Sequence, residues 1–247
     1  GTEDTKIVFD GNAQDFYIGL DDSADDLIIG LGSTVGTTPI ISVDENKDVA
    51  IPDGGLTITT SDNTDTLTLT STDADASVGP NINMYRNSGS VAANDYLGTI
   101  AFSGKDDAGN IHDYVIFETQ AETVSNGGED GSLYISSFID GSSVARLSFD
   151  KSEAVFNDGS VDLDFRVESN GNTHMIFVDG GSDHVNIGTS SDLGAVLNVN
   201  GSGYFTTADN TDTLTLVSTD ADANVGPNLN MYRNSGSPAD DDTTGAI

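Results

Sequence analysis

Residues 95–150 read DYLGTIAFSGKDDAGNIHDYVIFETQAETVSNGGEDGSLYISSFIDGSSVARLSFD. Four segments in this stretch, 96–105, 111–120, 132–140 and 144–150, alternate apolar with polar residues. Between them lie Asp106-Asp107-Ala108-Gly109-Asn110, the run from Ser125 to Gly131, and Asp140-Gly141-Ser142. Asp and Asn bond to their own nearby backbone, and Gly reaches left-handed conformations, so each run is a turn. Period-two alternation joined by such turns predicts an antiparallel meander with one-sided burial. On 112–119, Tyr114, Ile116 and Glu118 share one face, and Val115, Phe117 and Thr119 share the other. Both faces carry apolar residues, which predicts a central strand buried on two sides.

Just upstream, TLTLTST at 66–72 and NINMYRN at 81–87 read as further strands of the same module. Outside it the texture changes to strands of four to seven residues between tight turns rich in Gly, Asp and Asn. Residues 6–60 hold DFYIGL, DDLIIGL, TPIISVD, DVAI and LTITT; residues 154–207 hold DLDFRVES, THMIFVD, DHVNIGT, AVLNVNG and GYFTT. Short strands at this spacing predict an all-β, shaft-like or solenoid-like element.

An internal repeat orders these textures. Residues 61–90 and 208–237 agree at 26 of 30 positions, at an offset of 147. The same offset matches Val8-Phe9 with Val155-Phe156, and Gly98 and Ile100 with Gly245 and Ile247. The predicted organisation is a short-strand shaft segment (1–60), an antiparallel β module (61–153), a second shaft segment repeating the first (154–207) and the start of a second module (208–247). The second unit stops at the point where the first continues into its longest strands, so the sequence is expected to be a piece of a longer chain.

Composition narrows the function. The chain has 41 acidic against 8 basic side chains, a net charge of −33, and no Cys or Trp. A charge of this sign repels phosphate and anionic lipid, which argues against nucleic-acid partners and membrane insertion. Without Cys there is neither a disulfide framework nor a thiolate metal site. Of the acids only 7 are Glu; the Asp excess suits turns and a hydrated surface in salt water. Hydrophobic residues make up 36%, below the roughly 45–50% of ordinary domains, a figure that also counts Gly. A core this thin predicts that burial comes from association, in an intertwined homo-oligomer.

The segment GPNINMYRNSGSVAANDYLGTIAFSGKDDAGN (79–110), followed by a meander ending in VARLSFD, resembles a repeat module of bacteriophage tail fibres and related virion fibres. DFRVESNGNTHMIFVDGGSDHVNIGTSS (164–191) resembles the short β repeats between such modules, as in fibres of marine phages. The resemblance covers nearly the whole chain, and RNSGS with the following LGTIAF is its most specific part. It implies an elongated homotrimeric fibre on the virion, supporting host attachment. Its partners would be other copies of itself, other virion proteins and a host-surface glycan or protein. The alternative is a repetitive acidic extracellular adhesin or filament of a marine or halophilic cell. A polysaccharide depolymerase is a third reading, disfavoured by the duplication and by the lack of Trp platforms for sugar.

Candidate sites follow from residue type. Asp21, Asp22, Asp25 and Asp26 crowd one turn; Asp44, Asn46 and Asp48 alternate like the start of a calcium loop; Asp73 and Asp75 recur as Asp220 and Asp222. Calcium needs six to eight converging oxygens, and the plainer reading of each cluster is a solvated acidic turn. Arg86 and its repeat Arg233, with Arg146 and Arg166, read as structural ion-pair or backbone-bonding residues. His112, His174 and His184 could meet on a threefold axis around a metal, although none has a second ligand at suitable spacing. No G-x-S-x-G elbow occurs, and the adjacent His112-Asp113 is not a triad. The sequence therefore assigns no catalytic, cofactor or metal residue, and calcium is the one cofactor with a candidate site.

Overall fold

The computed structural model describes residues 3–77, 79–209, 211–219, 226–234 and 236–237. The chain is all-β, with antiparallel sheets and no helix among the described residues. It forms two compact units, Gly1–Asn83 and Met84–Ile247.

The first unit holds β1 (Thr5–Phe9), β2 (Phe16–Asp21), β3 (Asp26–Leu31), β4 (Pro39–Val43) and β5 (Val49–Ala50), an antiparallel meander in chain order. Its register sets Ile7, Ile18, Ile29 and Ile41 side by side across four strands. Thr5, Leu20, Leu27, Val43 and Val49 form a parallel row on the same face. This face carries no charge, and it is open among the described residues: Ile7 is 64% exposed. The core lies on the other face, where Tyr17, Ile28 and Val35 are buried together. Val35 belongs to the loop after β3, and the Gly36 N–H donates to the Tyr17 hydroxyl at 3.1 Å. The Tyr17 ring lies so close over Gly30 that a β-carbon there would come within 2.4 Å of it.

The second unit opens with β6 (Asp95–Lys105), β7 (Ile111–Thr123), β8 (Asp130–Ile139), β9 (Ser142–Phe149) and β10 (Ala154–Phe156), again a meander. Ile100, Phe117, Ile135, Leu147 and Phe156 form one apolar row across all five strands. The row is open at both ends, with Ile100 51% and Phe156 58% exposed. The buried residues of this sheet are instead the small polar Ser132, Ser136 and Ser148.

A third sheet contains β11 (Phe165–Val167), β12 (Ile176–Asp179), β13 (His184–Ile187) and β14 (Leu197–Val199). The first three strands are antiparallel, and β14 joins β13 in parallel. Val167, Ile176, Ile187 and Val199 form a row on one face, and Arg166, Phe177, Asn186 and Asn198 a row on the other. Here too the aliphatic row is open, whereas Phe177, Asn186 and Asn198 are buried.

The predicted hairpins at 106–110, 125–131 and 140–142 are present. Two expectations fail. β7 is an interior strand, but no residue along it is buried, because β6 and β8 pair with its edges and do not cover its faces. Residues 56–60, 66–72 and 81–87, and their counterparts 203–207, 213–219 and 228–234, form no strand. Their alternation suits a strand, but among the described residues no sheet ladder includes them.

Candidate functional site

The acidic clusters occupy turns, and their carboxylates organise the backbone of those turns. Between β2 and β3, Asp21 Oδ1 accepts from the Ser23 N–H at 3.0 Å, the Ser23 hydroxyl at 2.6 Å and the Ala24 N–H at 3.3 Å. These bonds, the Ser23 hydroxyl foremost, hold its pKa below the usual value. Asp25 takes a positive φ of 58° to close the turn, and the Asp22 N–H donates to Asp4. The β12–β13 turn repeats the device: Asp179 Oδ1 accepts from the Gly181 and Ser182 N–H groups, and Asp183 has φ 60°. Asp44 Oδ1 accepts from the N–H groups of Asn46 at 2.9 Å and Asp48 at 2.8 Å. Asp73 accepts from the Asp75 N–H, and Asp75 from the Ser77 N–H. Asp220 and Asp222 lie outside the described residues. Among the described residues no three His, Asp or Glu side chains converge to hold a metal ion.

The cations are placed as braces. Arg86 donates from Nη1 to the Tyr96 carbonyl at 2.7 Å and pairs through Nη2 with Asp95 at 3.3 Å. Asp95 in turn accepts from the Ala92 N–H, so Arg86 fastens the segment before β6 to the start of that strand. Its repeat, Arg233, also has a partner. Arg166 pairs with Glu168 at 2.7 Å. Arg146 donates from Nε to the Ser137 hydroxyl at 2.8 Å, while its buried Nη1 has no acceptor.

The three histidines sit in separate surroundings. His112 rests on Phe138, ring centres 4.9 Å apart, with Nε2 3.2 Å from Asp106. Asn110 and the turn N–H groups, with His112, hold Asp106 down at a pKa of about 2. His174 meets Thr173 at 2.8 Å and packs edge-on against Phe177. His184 Nδ1 lies 2.9 Å from Asp192. Asp192 also accepts from Asn198, whose amide donates to Asn186 Oδ1 at 2.8 Å and to the Ala195 carbonyl at 2.9 Å. This network ties the loop between the parallel strands β13 and β14.

A concavity of about 630 Å³ lies in the second unit between Phe156, Phe165, His174 and Phe177, with Arg166 and Glu168 at its side. The Arg166–Glu168 pair and the Thr173–His174 bond already engage its polar groups with one another. It brings a polar rim to an aromatic floor, without a nucleophile held against a base.

Residue-by-residue reading misses two features. One is the apolar row left open, in whole or at its ends, on each of the three sheets. The other is the buried Asn186–Asn198 pair, fully hidden at Asn186. The signal for the faces is present in the alternation, but it becomes a surface only once the register aligns the strands. Compared with family models, with curated proteins and with solved structures, the chain matches none of them.

Proposed function

We propose that this chain is a structural and adhesive segment of a virion fibre: an elongated homotrimer that projects from a phage particle and supports host attachment. Its function is shape, reach and presentation rather than catalysis. Its partners are copies of itself, neighbouring virion proteins and a host-surface glycan or protein, and it works outside the cell.

One observation carries this reading. Each of the three sheets keeps an apolar row exposed in whole or in part, in a chain where 20% of residues are charged. Faces of this kind in a soluble protein mark association surfaces. Three of them in succession call for a partner that offers matching apolar sheets along its own length, and another copy of the chain does so. The duplicated 147-residue offset fits a building unit laid down in series. The turn carboxylates leave the surface acidic, which keeps such an assembly hydrated in salt.

The deciding experiment is the solution mass by light scattering, with negative-stain images of the same fraction. A mass of three times 25.6 kDa with rod-shaped particles supports the fibre. A stable single chain removes it. Calcium-dependent melting of the assembled form would favour the extracellular adhesin instead.

A further inference from the structure

We propose that the aromatic concavity where the second and third sheets meet is a binding site for an uncharged oligosaccharide. The proposal deepens the fibre reading, on which it rests for a surface glycan as partner, and names the residues that hold the sugar.

The site is built between two sheet edges, β10 of the second sheet and β11 of the third. Phe156 and Phe165 meet across this junction with ring centres 5.1 Å apart. Phe156 is nonetheless 58% exposed. Phe177, buried and braced edge-on by His174 at 5.1 Å, completes the aromatic lining. A second concavity, of about 420 Å³, shares Phe156 and Phe165 with the first, of about 630 Å³. The Phe pair is thus a common wall of two adjoining hollows, which suits a chain of sugar rings laid across it. The backbone beside it is fixed. The Gly180 N–H donates to Asp164 Oδ1 at 3.1 Å, and a β-carbon at Gly180 would come within 2.6 Å of the Leu163 carbonyl oxygen. A wall set in advance limits the ordering cost of binding.

Chemistry selects the ligand. Aromatic faces carry partial negative charge and attract polarised C–H groups. A sugar ring offers such groups on its face and hydroxyls around its edge. Arg166, Glu168 and Asp164 line the first hollow, and Asp179 and Ser160 the second. Arg166 pairs with Glu168 through Nη2 at 2.7 Å, and a guanidinium has five N–H donors. Asp164 and Asp179 accept main-chain N–H groups through Oδ1, and a carboxylate has a second oxygen to offer. Hydroxyls, which donate and accept at once, can use both kinds of group. An anionic sugar would instead meet Asp164, Glu168 and Asp179 in a chain of −33. A basic peptide would meet Arg166, and a wholly apolar ligand would bury polar groups without partners. An uncharged polyol avoids all three penalties. With Phe in place of Trp each site is weak, with a Kd on the order of 1 mM, and three linked sites on a trimer raise the avidity.

The full chain, in the state of assembly it takes in solution, is titrated with maltotriose, cellotriose and triacetylchitotriose by saturation-transfer NMR. Trigalacturonate and trilysine serve as charged comparisons. At least one neutral trisaccharide should bind with a Kd of about 1 mM, saturated most strongly at its ring C–H protons, and the charged probes should not bind. Phe156→Ala should weaken binding about tenfold, the loss of one stacked ring. Arg166→Met, which lies off the open row that Phe156 ends, should weaken it severalfold with the mass unchanged. Tyr204→Ala removes a 91% exposed aromatic outside the site and should leave binding as it is. If none of the three binds at about 10 mM, if a charged probe binds in their place, or if both site variants bind as the parent does, this proposal fails, and a trimeric rod leaves the fibre reading standing. If a neutral trisaccharide binds as expected to a single 25.6 kDa species, the site stands and the fibre reading fails.

Discussion

Asp106 shows how the acidic residues are used. Its carboxylate accepts from the Ala108 and Asn110 N–H groups and from the Asn110 amide, closing the β6–β7 hairpin. Such bonds favour the ionised form, so the pKa falls to about 2 from 3.8. A lowered carboxyl pKa adds stability above its unfolded value, and this is lost as pH falls through the folded value. The turn should therefore hold at all pH values above about 4 and loosen towards about 2. A carbon-detected NMR titration of Asp106 should find its midpoint near the lower figure; a midpoint near 3.8 would show the turn bonds to be absent in solution. Gly30 offers a second check at this scale. A methyl group there meets the Tyr17 ring at 2.4 Å, and overpacking of this kind costs about 1–3 kcal/mol. Gly30→Ala should lower the unfolding midpoint of the first unit by that amount in denaturant titrations, and leave the exchange of β7 and β8 unchanged.

At the scale of elements, the same hairpin device serves two sheets that are then finished differently. In the first, the strand after β3 returns antiparallel, and the loop between them delivers Val35 over Tyr17 and Ile28. In the third, the chain crosses over and β14 lies parallel to β13. That crossover is shorter than the dozen or more residues usual for a parallel connection. The Asn198 amide secures it through Asn186, Asp192 and the Ala195 carbonyl. Asn198→Ala would leave the buried Asn186 side chain without its donor, at a cost of about 1–3 kcal/mol. The expected result is early exchange of β13 and β14 with β6 to β9 still protected. Uniform loss across both sheets would count against this local role. The antiparallel hairpins were legible in the sequence, since turn residues and alternation report on neighbours a few positions away. The parallel pair was not, because residues 188–196 carry the same Gly, Ser and Asp turn residues as the hairpins, and these do not tell a crossover from a reversal.

For the molecule as a whole, the proposed assembly sets apolar faces that would draw copies together against a charge that would separate them. The Debye length is ~30 Å at 0.01 M salt and ~8 Å at 0.15 M. Raising salt from the lower value to about 0.5 M should tighten self-association on the order of tenfold, as read by mass at matched protein concentrations. Exposed residues in the open faces can be changed without disturbing the fold of the single chain. The double variant Ile18→Asp with Ile100→Asp should keep the β-sheet circular dichroism and shift the mass to 25.6 kDa. An unchanged mass would place the contact elsewhere than the open faces.

The sequence by itself determined the all-β class, the hairpin turns, the 147-residue repeat offset and the chemistry of the Asp-rich loops. All of these depend on residues close in the chain or on direct self-comparison. Only the tertiary structure decided which face of each sheet is covered. Alternation sorts residues onto two sides of a strand but does not say which side another layer will reach. Reading apolar as buried gave a two-sided core at β7; the structure instead leaves Ile100 and Phe156 open and hides Ser132, Ser136, Ser148 and Asn186. It also decided that residues 66–72 and 81–87 carry no strand within the chain. A strand is a property of a pair, since its hydrogen bonds are made to a neighbour, and a local pattern cannot supply the neighbour.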